Sequence, residues 1–184
     1  AAVQPYAAAL GRALPTAFSV PLEREPLRAA ANEALIVPAQ VNYVGKGCNI
    51  YDLGYTWHGS AHVITRHLRM GWLWDQVRVQ GGAYGAGLNT SETGRMVTYS
   101  YRDPSPARTL GINRSMSKGL RDFVAGDERI DKYIISTVGE SEPPLGSENQ
   151  ILVSDENLLC GITPEDLCRE RTEMLSTTKD ALLK

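Results

Sequence analysis

Residues 78–87, RVQGGAYGAG, contain four glycines in ten positions and constrain the fold more than any other stretch of the 184-residue sequence. Before them, residues 58–77 repeat apolar side chains at helical spacing, which predicts a mostly buried helix. The apolar stripe comprises Val63, Met70, Trp74 and Val77, with Ile64 and Leu68 on its flank. After them, residues 85–90 and 96–103 predict two strands joined by a turn at 92–94. The glycines therefore connect a helix to a β-hairpin.

The sequence changes character near residue 32. Residues 5–28 carry four of the ten prolines and predict a connector with a short helix at 6–14. Residues 33–44, EALIVPAQVNYV, predict two strand pieces that are broken or bent at Pro38, because proline favours an edge position or a bulge. We therefore predict a linker, or the end of a preceding segment, over residues 1–32 and one domain over residues 33–184.

Helices dominate the second half of the sequence. Residues 105–126 predict a helix ended by Gly126, and residues 127–140 predict another that Asp127 caps. A loop at 142–146 separates these from helices over 147–162 and 163–184. The last of them has Thr163 as its cap, Pro164 at its first position and Asp166 in a capping box. With strands early and helices late, the layer rule predicts an α+β fold, a two-layer sandwich with a largely antiparallel sheet covered by helices on one face.

Composition argues against two classes of partner. The formal net charge is -2, so no broad positive field recruits nucleic acid or an anionic membrane, and no apolar run is long enough to span a bilayer. The sequence does not begin with methionine, which indicates an excised or processed piece of a longer protein. Cys48, Cys160 and Cys168 are an odd, sparse set, which predicts buried free thiols in a reducing compartment and no zinc knuckle.

The glycine segment allows three interpretations. A phosphate-binding loop needs a strand before its glycines and a helix after them, and the order here is inverted, so a nucleotide-binding module is a remote alternative. A helix C-cap with Gly81 or Gly82 in the left-handed region explains one or two of the glycines. It leaves Arg78 and Tyr84 unexplained. These side chains are hydrogen-bond donors suited to a peptide carbonyl or a developing oxyanion, beside bare backbone that permits close approach of another chain.

Other chemistry-bearing residues give weaker signals. His58 and His62 could share a helical face, but His67 lies off it and neither HExxH nor HxxEH is present, which predicts ordinary helix histidines and no metal. Arg102 and Asp103, in SYRDP, predict a surface ion pair or a structural bracket at the sheet edge. The absence of a GxSxG motif argues against serine hydrolysis.

Three motifs, VPAQVNYVG, LWDQVRVQGGAYGAG and SYRDP, occur in order from about Val37 onward. Together they resemble the last domain of the pitrilysin-type, inverted-zincin metallopeptidases, in the presequence-protease and falcilysin branch. The resemblance implies the LuxS/MPP-like metallohydrolase fold. It also implies an enzyme of two hinged halves that close around a chamber and degrade short unfolded peptides, with zinc held by an HxxEH motif in the N-terminal half.

The sequence lacks HxxEH, so the resemblance implies no catalytic or metal-binding residue in this chain. It implies that Arg78 and Tyr84 hydrogen-bond the substrate backbone, that Gly81 and Gly82 provide clearance, and that the catalytic N-terminal half is the partner. The chain alone would then be inactive, although it belongs to a peptide-bond hydrolase. A structural, non-catalytic subunit of the processing-peptidase or respiratory-core type stays open as the alternative. The compartment, organellar or bacterial cytoplasmic, also stays open.

Overall fold

The computed structural model of the chain describes residues 32–183. The predicted helix at 6–14 and nearly all of the predicted linker lie outside the described residues. The chain forms two compact units, and the boundary between them follows Pro38. Residues 32–38 contain no helix or strand. The two strand pieces predicted for 33–44 are therefore wrong in their first part. Leu35 and Ile36 are exposed rather than packed on a sheet face, and regular pairing begins only at Asn42.

The sheet has three antiparallel strands: β1 (Asn42–Asn49), β2 (Gly85–Thr90) and β3 (Arg95–Asp103). Their order is β1-β3-β2, so β3 is central. The predicted hairpin between β2 and β3 is confirmed. Its turn closes with the amide of Gly94 donating to the carbonyl of Ser91 at 2.9 Å, and Gly94 has a φ of +81°, a conformation that favours glycine.

A β-bulge interrupts the pairing of β1 with β3. Asn42 lies opposite Asp103 and Tyr43 lies opposite Tyr101, so Arg102 is the extra residue. Its φ of +49° is the one positive value at a non-glycine position among the described residues. A bulge of this kind shifts the alternation of side chains by one position. Asp103 therefore lies on the inner face with Ser100, not on the outer face with Tyr101.

The predicted helix at 58–77 is confirmed, but its geometry changes partway. Helix α1 (Ser60–His67) continues into a π-helical segment (Leu68–Val79). In the π geometry each amide bonds the carbonyl five residues back, which makes the turn wider than in an α-helix. Leu68 and Leu73, five residues apart, are consequently buried, whereas Met70 and Trp74 of the predicted stripe are about half exposed.

Five more helices follow the hairpin: α2 (Pro106–Arg114), α3 (Met116–Ala125), α4 (Asp131–Ser141), α5 (Ser147–Cys160) and α6 (Pro164–Leu175). The helix predicted for 105–126 is thus two helices, because the Ser115 hydroxyl and amide both bond the carbonyl of Ile112 and close the first one. The predicted Asp127 cap is wrong, since α4 begins four residues later. The capping box of Thr163 and Asp166 is confirmed.

Two apolar clusters form the core, and the helix formed by α1 and the π-helical segment contributes to both. One joins it to the helices through Val63, Phe123, Tyr133, Ile134, Met174 and Leu182. The other joins it to the sheet through Leu68, Leu73, Val77, Ala83, Leu88 and Ile112. The predicted α+β fold is confirmed. The prediction of buried cysteines is wrong, because all three thiols are free and exposed. None of the described helices has the length and apolar composition that crossing a membrane requires.

Candidate functional site

The candidate site lies where the π-helical segment ends and the hairpin begins. The amide of Gly82 donates to the carbonyl of Arg78 at 3.0 Å, and the amide of Ala83 donates to the carbonyl of Val77 at 3.2 Å. This closure resembles a Schellman motif in which each bond is one residue longer, as the wider π turn requires. Gly82 has a φ of +79°, so it is the left-handed cap that the sequence predicted for Gly81 or Gly82.

Gly81 is required by packing rather than by its dihedral angles. A Cβ at this position would lie 2.3 Å from the carbonyl oxygen of Val77 and 2.6 Å from Nη1 of Arg108. That nitrogen donates to the carbonyl of Gln76 at 2.7 Å, so the Arg108 side chain from α2 occupies the space that a larger residue would need. Gly81 and Gly82 together build the tight turn that follows Arg78.

The other two glycines of the segment are covered by tyrosine rings of β3. Gly85 lies opposite Tyr101, and Gly87 lies opposite Tyr99. A Cβ would lie 2.2 Å from the Tyr101 ring at the first position and 2.4 Å from the Tyr99 ring at the second. The bare backbone expected to admit another chain is therefore occupied at these two positions by the chain's own side chains.

Arg78 and Tyr84 lie at the two ends of this turn. The Arg78 guanidinium stacks over the Trp74 ring, 4.0 Å from its centroid, and forms no salt bridge within residues 32–183. Tyr84 is 59% exposed, and its hydroxyl forms no hydrogen bond within the same residues. Its ring meets that of Tyr101 edge to face, with centroids 5.5 Å apart. The fold thus places the two predicted residues at the two ends of one turn, and neither donor group has a hydrogen-bond partner among the described residues.

Arg102 supports Tyr84 from the bulge in β3. Its guanidinium carbon lies 5.3 Å from the centroid of the Tyr84 ring, within cation–π range. The amide of Tyr84 also donates to the carbonyl of Arg102 at 3.4 Å. Sequence reasoning missed Trp74, Tyr101 and Arg102 as supports of the site. The spacing of four residues between Trp74 and Arg78 is the signal that could have found the first of them.

Asp103 fastens the end of β3 to the start of α2. Its carboxylate accepts hydrogen bonds from the Ser100 hydroxyl at 2.6 Å, the Thr109 hydroxyl at 2.6 Å and the Ser105 amide at 2.7 Å. Burial alone would raise the pKa of Asp103, but these hydrogen bonds and the charge of Arg108 outweigh it and lower the pKa. Of the two interpretations of SYRDP, the structural bracket is the one observed.

The histidines lie away from this turn, in and beside α1. His62 Nε2 lies 2.9 Å from a Glu170 carboxylate oxygen, which also accepts from the Trp57 indole at 2.9 Å. His67 is buried and stacks on Phe123, with ring centroids 3.9 Å apart. Within the described part of the chain, no three His, Cys, Asp or Glu side chains form a group that could hold a metal ion.

Comparisons with known proteins match most of the chain. A family model described as PreP C-terminal domain matches residues 32–184. The chain is 42% identical over 156 residues to Presequence protease 1, chloroplastic/mitochondrial, of Arabidopsis thaliana, which covers 84% of the chain and 14% of that protein. It is 37% identical over 147 residues to Protein HypA of Clostridium perfringens, covering 79% of the chain and 15% of that protein. It is 25% identical over 150 residues to Presequence protease, mitochondrial, of Mus musculus, covering 80% and 14%.

Proposed function

The chain belongs to the presequence protease family, of which it is a C-terminal domain, and on that premise we propose that Arg78 and Tyr84 hold the peptide substrate in the full-length enzyme. The observation that supports this is the geometry of the turn. It carries a guanidinium at one end and a phenol at the other, both in contact with aromatic rings and neither with a hydrogen-bond or salt-bridge partner within residues 32–183.

Both groups suit the main chain of a peptide. A guanidinium offers a planar fork of donors and a phenol offers one, so together they can donate to a substrate carbonyl and to the oxyanion that develops from it. Donors held in place before reaction stabilise such a charge most strongly when water is excluded, by roughly 3 kcal/mol for a single donor. The stacking of Arg78 on Trp74 provides this fixed position without using the N–H groups.

The hydrolytic chemistry belongs, on this proposal, to the part of the enzyme outside this chain. The family resemblance implies zinc in the full-length enzyme, and the described residues offer no group of ligands for it. The matched relatives from Arabidopsis and mouse are named as presequence proteases, and the chain spans only 14% of each. We extend to the parent of this chain a substrate class of short unfolded peptides, bound in an enclosed chamber between this half and the N-terminal catalytic half.

The test is zinc-dependent cleavage of a short unfolded peptide by the full-length enzyme. Arg78→Ala and Tyr84→Phe are each expected to lower kcat on the order of a hundredfold, because the lost bond forms fully only in the transition state. Arg78→Lys keeps the charge and loses the fork, so it should restore only part of the rate. Arg121→Ala and Tyr55→Phe, at exposed positions outside the turn, are the matched controls.

Near-normal turnover in both Arg78→Ala and Tyr84→Phe would refute the assigned roles and favour a purely structural domain. The purified 184-residue chain, supplied with zinc, should leave the same peptide intact. Zinc-dependent cleavage by that chain alone would overturn the placement of the chemistry outside it.

A further inference from the structure

Three tyrosines share the face of the sheet that is turned away from the helices. Tyr43 of β1 lies opposite Tyr101 of β3, and Tyr99 lies on the same face two residues before it. Tyr43 is 69% exposed, Tyr99 is 38% exposed and Tyr101 is 37% exposed. The opposite face carries Leu88, which is fully buried against the π-helical segment. We call the side chains of Tyr43, Tyr99 and Tyr101 the tyrosine platform.

Glycines on β2 determine how two of these rings lie. Because a Cβ at Gly85 or Gly87 would collide with the ring opposite, each ring extends across the β2 backbone instead of standing upright from the sheet. Only glycine leaves room for this arrangement, in which an aromatic ring covers a bare strand. The result is a surface of phenol rings and peptide backbone, with the hydroxyl groups of Tyr99 and Tyr101 over β2.

The spacing of the rings matches an extended peptide. Tyr99 and Tyr101 are two residues apart on one strand, a separation of roughly 6.6 Å. Alternate side chains of an extended peptide repeat at the same distance. A peptide lying along β3 would therefore place its alternate side chains over the rings of Tyr99 and Tyr101. The Tyr84 ring contacts that of Tyr101 edge to face, so the row continues directly into the turn that carries Arg78.

The composition of the platform fits a peptide better than a permanent domain contact. Tyrosine offers a large contact area that is both apolar and hydrogen-bonding, and only two side-chain torsions are fixed when it binds. The exposed face of α5 is different, because its side chains are aliphatic, as in the core of a stable interface. These side chains are Ile151, Leu152, Leu158 and Leu159. The exposed face of α5 therefore suits a structural contact with the rest of the polypeptide better than the tyrosine platform does.

We propose that the tyrosine platform is a peptide-binding subsite, which takes the apolar and aromatic side chains of an extended substrate whose main chain is held at Arg78 and Tyr84. This inference rests on the proposed function. It adds a preference that the two donors cannot supply, since hydrogen bonds to the main chain do not distinguish side chains. Aromatic pairs in offset or edge-to-face contact are the interactions that would produce the preference.

The test uses the full-length enzyme with its zinc removed, so that a bound peptide is not cleaved. Two fluorescein-labelled peptides of equal length are compared by anisotropy, one with Phe and Leu at alternate positions and one with Ser at those positions. The double variant Tyr99→Leu/Tyr101→Leu should raise Kd for the first peptide about tenfold and for the second less than about twofold. Tyr99→Phe keeps the ring and should retain most of the preference for the first peptide. Tyr55→Leu, at a 60% exposed tyrosine outside the platform, is the matched control and should bind both peptides like the unchanged enzyme.

Each other outcome overturns the inference. An equal rise in Kd for both peptides would mean that the rings contribute to binding but do not distinguish the side chains of the peptide. An unchanged Kd with a lowered Tm would mean that another part of the polypeptide covers this face, and a changed oligomeric state would mean that a second copy does.

The zinc-loaded enzyme separates this inference from the proposed function. A low kcat in Arg78→Ala together with unchanged peptide binding in the double variant would leave the function and refute the platform. A near-normal kcat in Arg78→Ala, together with weaker binding of the first peptide in the double variant, would support the platform and refute the roles of Arg78 and Tyr84.

Discussion

Replacing Asp103 with asparagine is expected to destabilise the chain by about 2 kcal/mol at neutral pH. One carboxylate oxygen accepts from the hydroxyls of Ser100 and Thr109, and the other accepts from the amide of Ser105. Asparagine has a single acceptor oxygen. If this oxygen still accepts the hydrogen bond from the Ser105 amide, the NH₂ group of the asparagine faces the hydroxyls of Ser100 and Thr109. These hydroxyls must then rotate so that their oxygens accept from it. Three charge-assisted bonds thereby become neutral ones, at roughly 1 kcal/mol each, and the lower desolvation cost of the amide returns part of the loss.

The effect should depend on pH with a definite sign. Although burial acts in the opposite direction, the hydrogen bonds hold the pKa of Asp103 below its ordinary value of 3.8 in the folded chain. The unfolded chain therefore binds the proton more readily, so the stabilisation is fully present above the unfolded pKa and is lost as pH falls through the folded one. The stability difference between the chain and Asp103→Asn should be largest at neutral pH and shrink below about pH 4.

Denaturant unfolding followed by tryptophan fluorescence measures both quantities, since the chain has three tryptophans. Asp155→Asn, at an exposed position on α5, is the matched control and should change the free energy of unfolding by less than about 0.5 kcal/mol. The reasoning is refuted if Asp103→Asn unfolds like the unchanged chain at neutral pH. It is also refuted if the stability difference stays constant on acidification, because the lost bonds would then not be those of the ionised carboxylate.

Two further predictions concern the turn and the helical core. Gly82→Ala should cost about 1–2 kcal/mol of unfolding free energy because of its φ of +79°, and Gly82→Asn should cost less, since asparagine tolerates the left-handed region. Burial lowers the pKa of His67, while Glu128 raises it and Lys132 and Lys179 lower it further. Stability from His67 should therefore be present above its ordinary pKa of 6.5 and be lost on acidification below it. Denaturant titrations around this pH should show the loss, and His67→Phe should lack it.

Local patterns were enough to predict the elements around the site. Alternating side chains and a turn between them predicted β2 and β3, and the glycines after an apolar helix predicted a left-handed cap at Gly81 or Gly82. The capping box of α6 was also readable, because its two partners are three residues apart. Each of these features is decided by residues close in sequence, where propensity and hydrogen bonding act directly.

Features that depend on distant partners were not predictable in this way. The start of β1 is decided by pairing with β3, some sixty positions away in sequence, since Asn42 lies opposite Asp103. The inward position of Asp103 depends on the bulge at Arg102, because strict alternation would place it beside Tyr101 on the outer face. The exposure of the cysteines likewise follows from how β1, α5 and α6 pack, which the spacing of the cysteines in the sequence does not reveal.

The most informative failure is the predicted burial of Trp74, because it is connected to the site itself. A regular helix with the predicted stripe would turn Trp74 into the core together with Val77. The π-helical segment instead places Leu73 and Val77 against the sheet and leaves Trp74 about half exposed, directly beneath the guanidinium of Arg78. The wider turn therefore creates the aromatic support for the proposed donor. With the left-handed Gly82 and the bulged Arg102, it makes three departures from regular helix and strand geometry around one turn, and departures of this kind are frequent at functional sites.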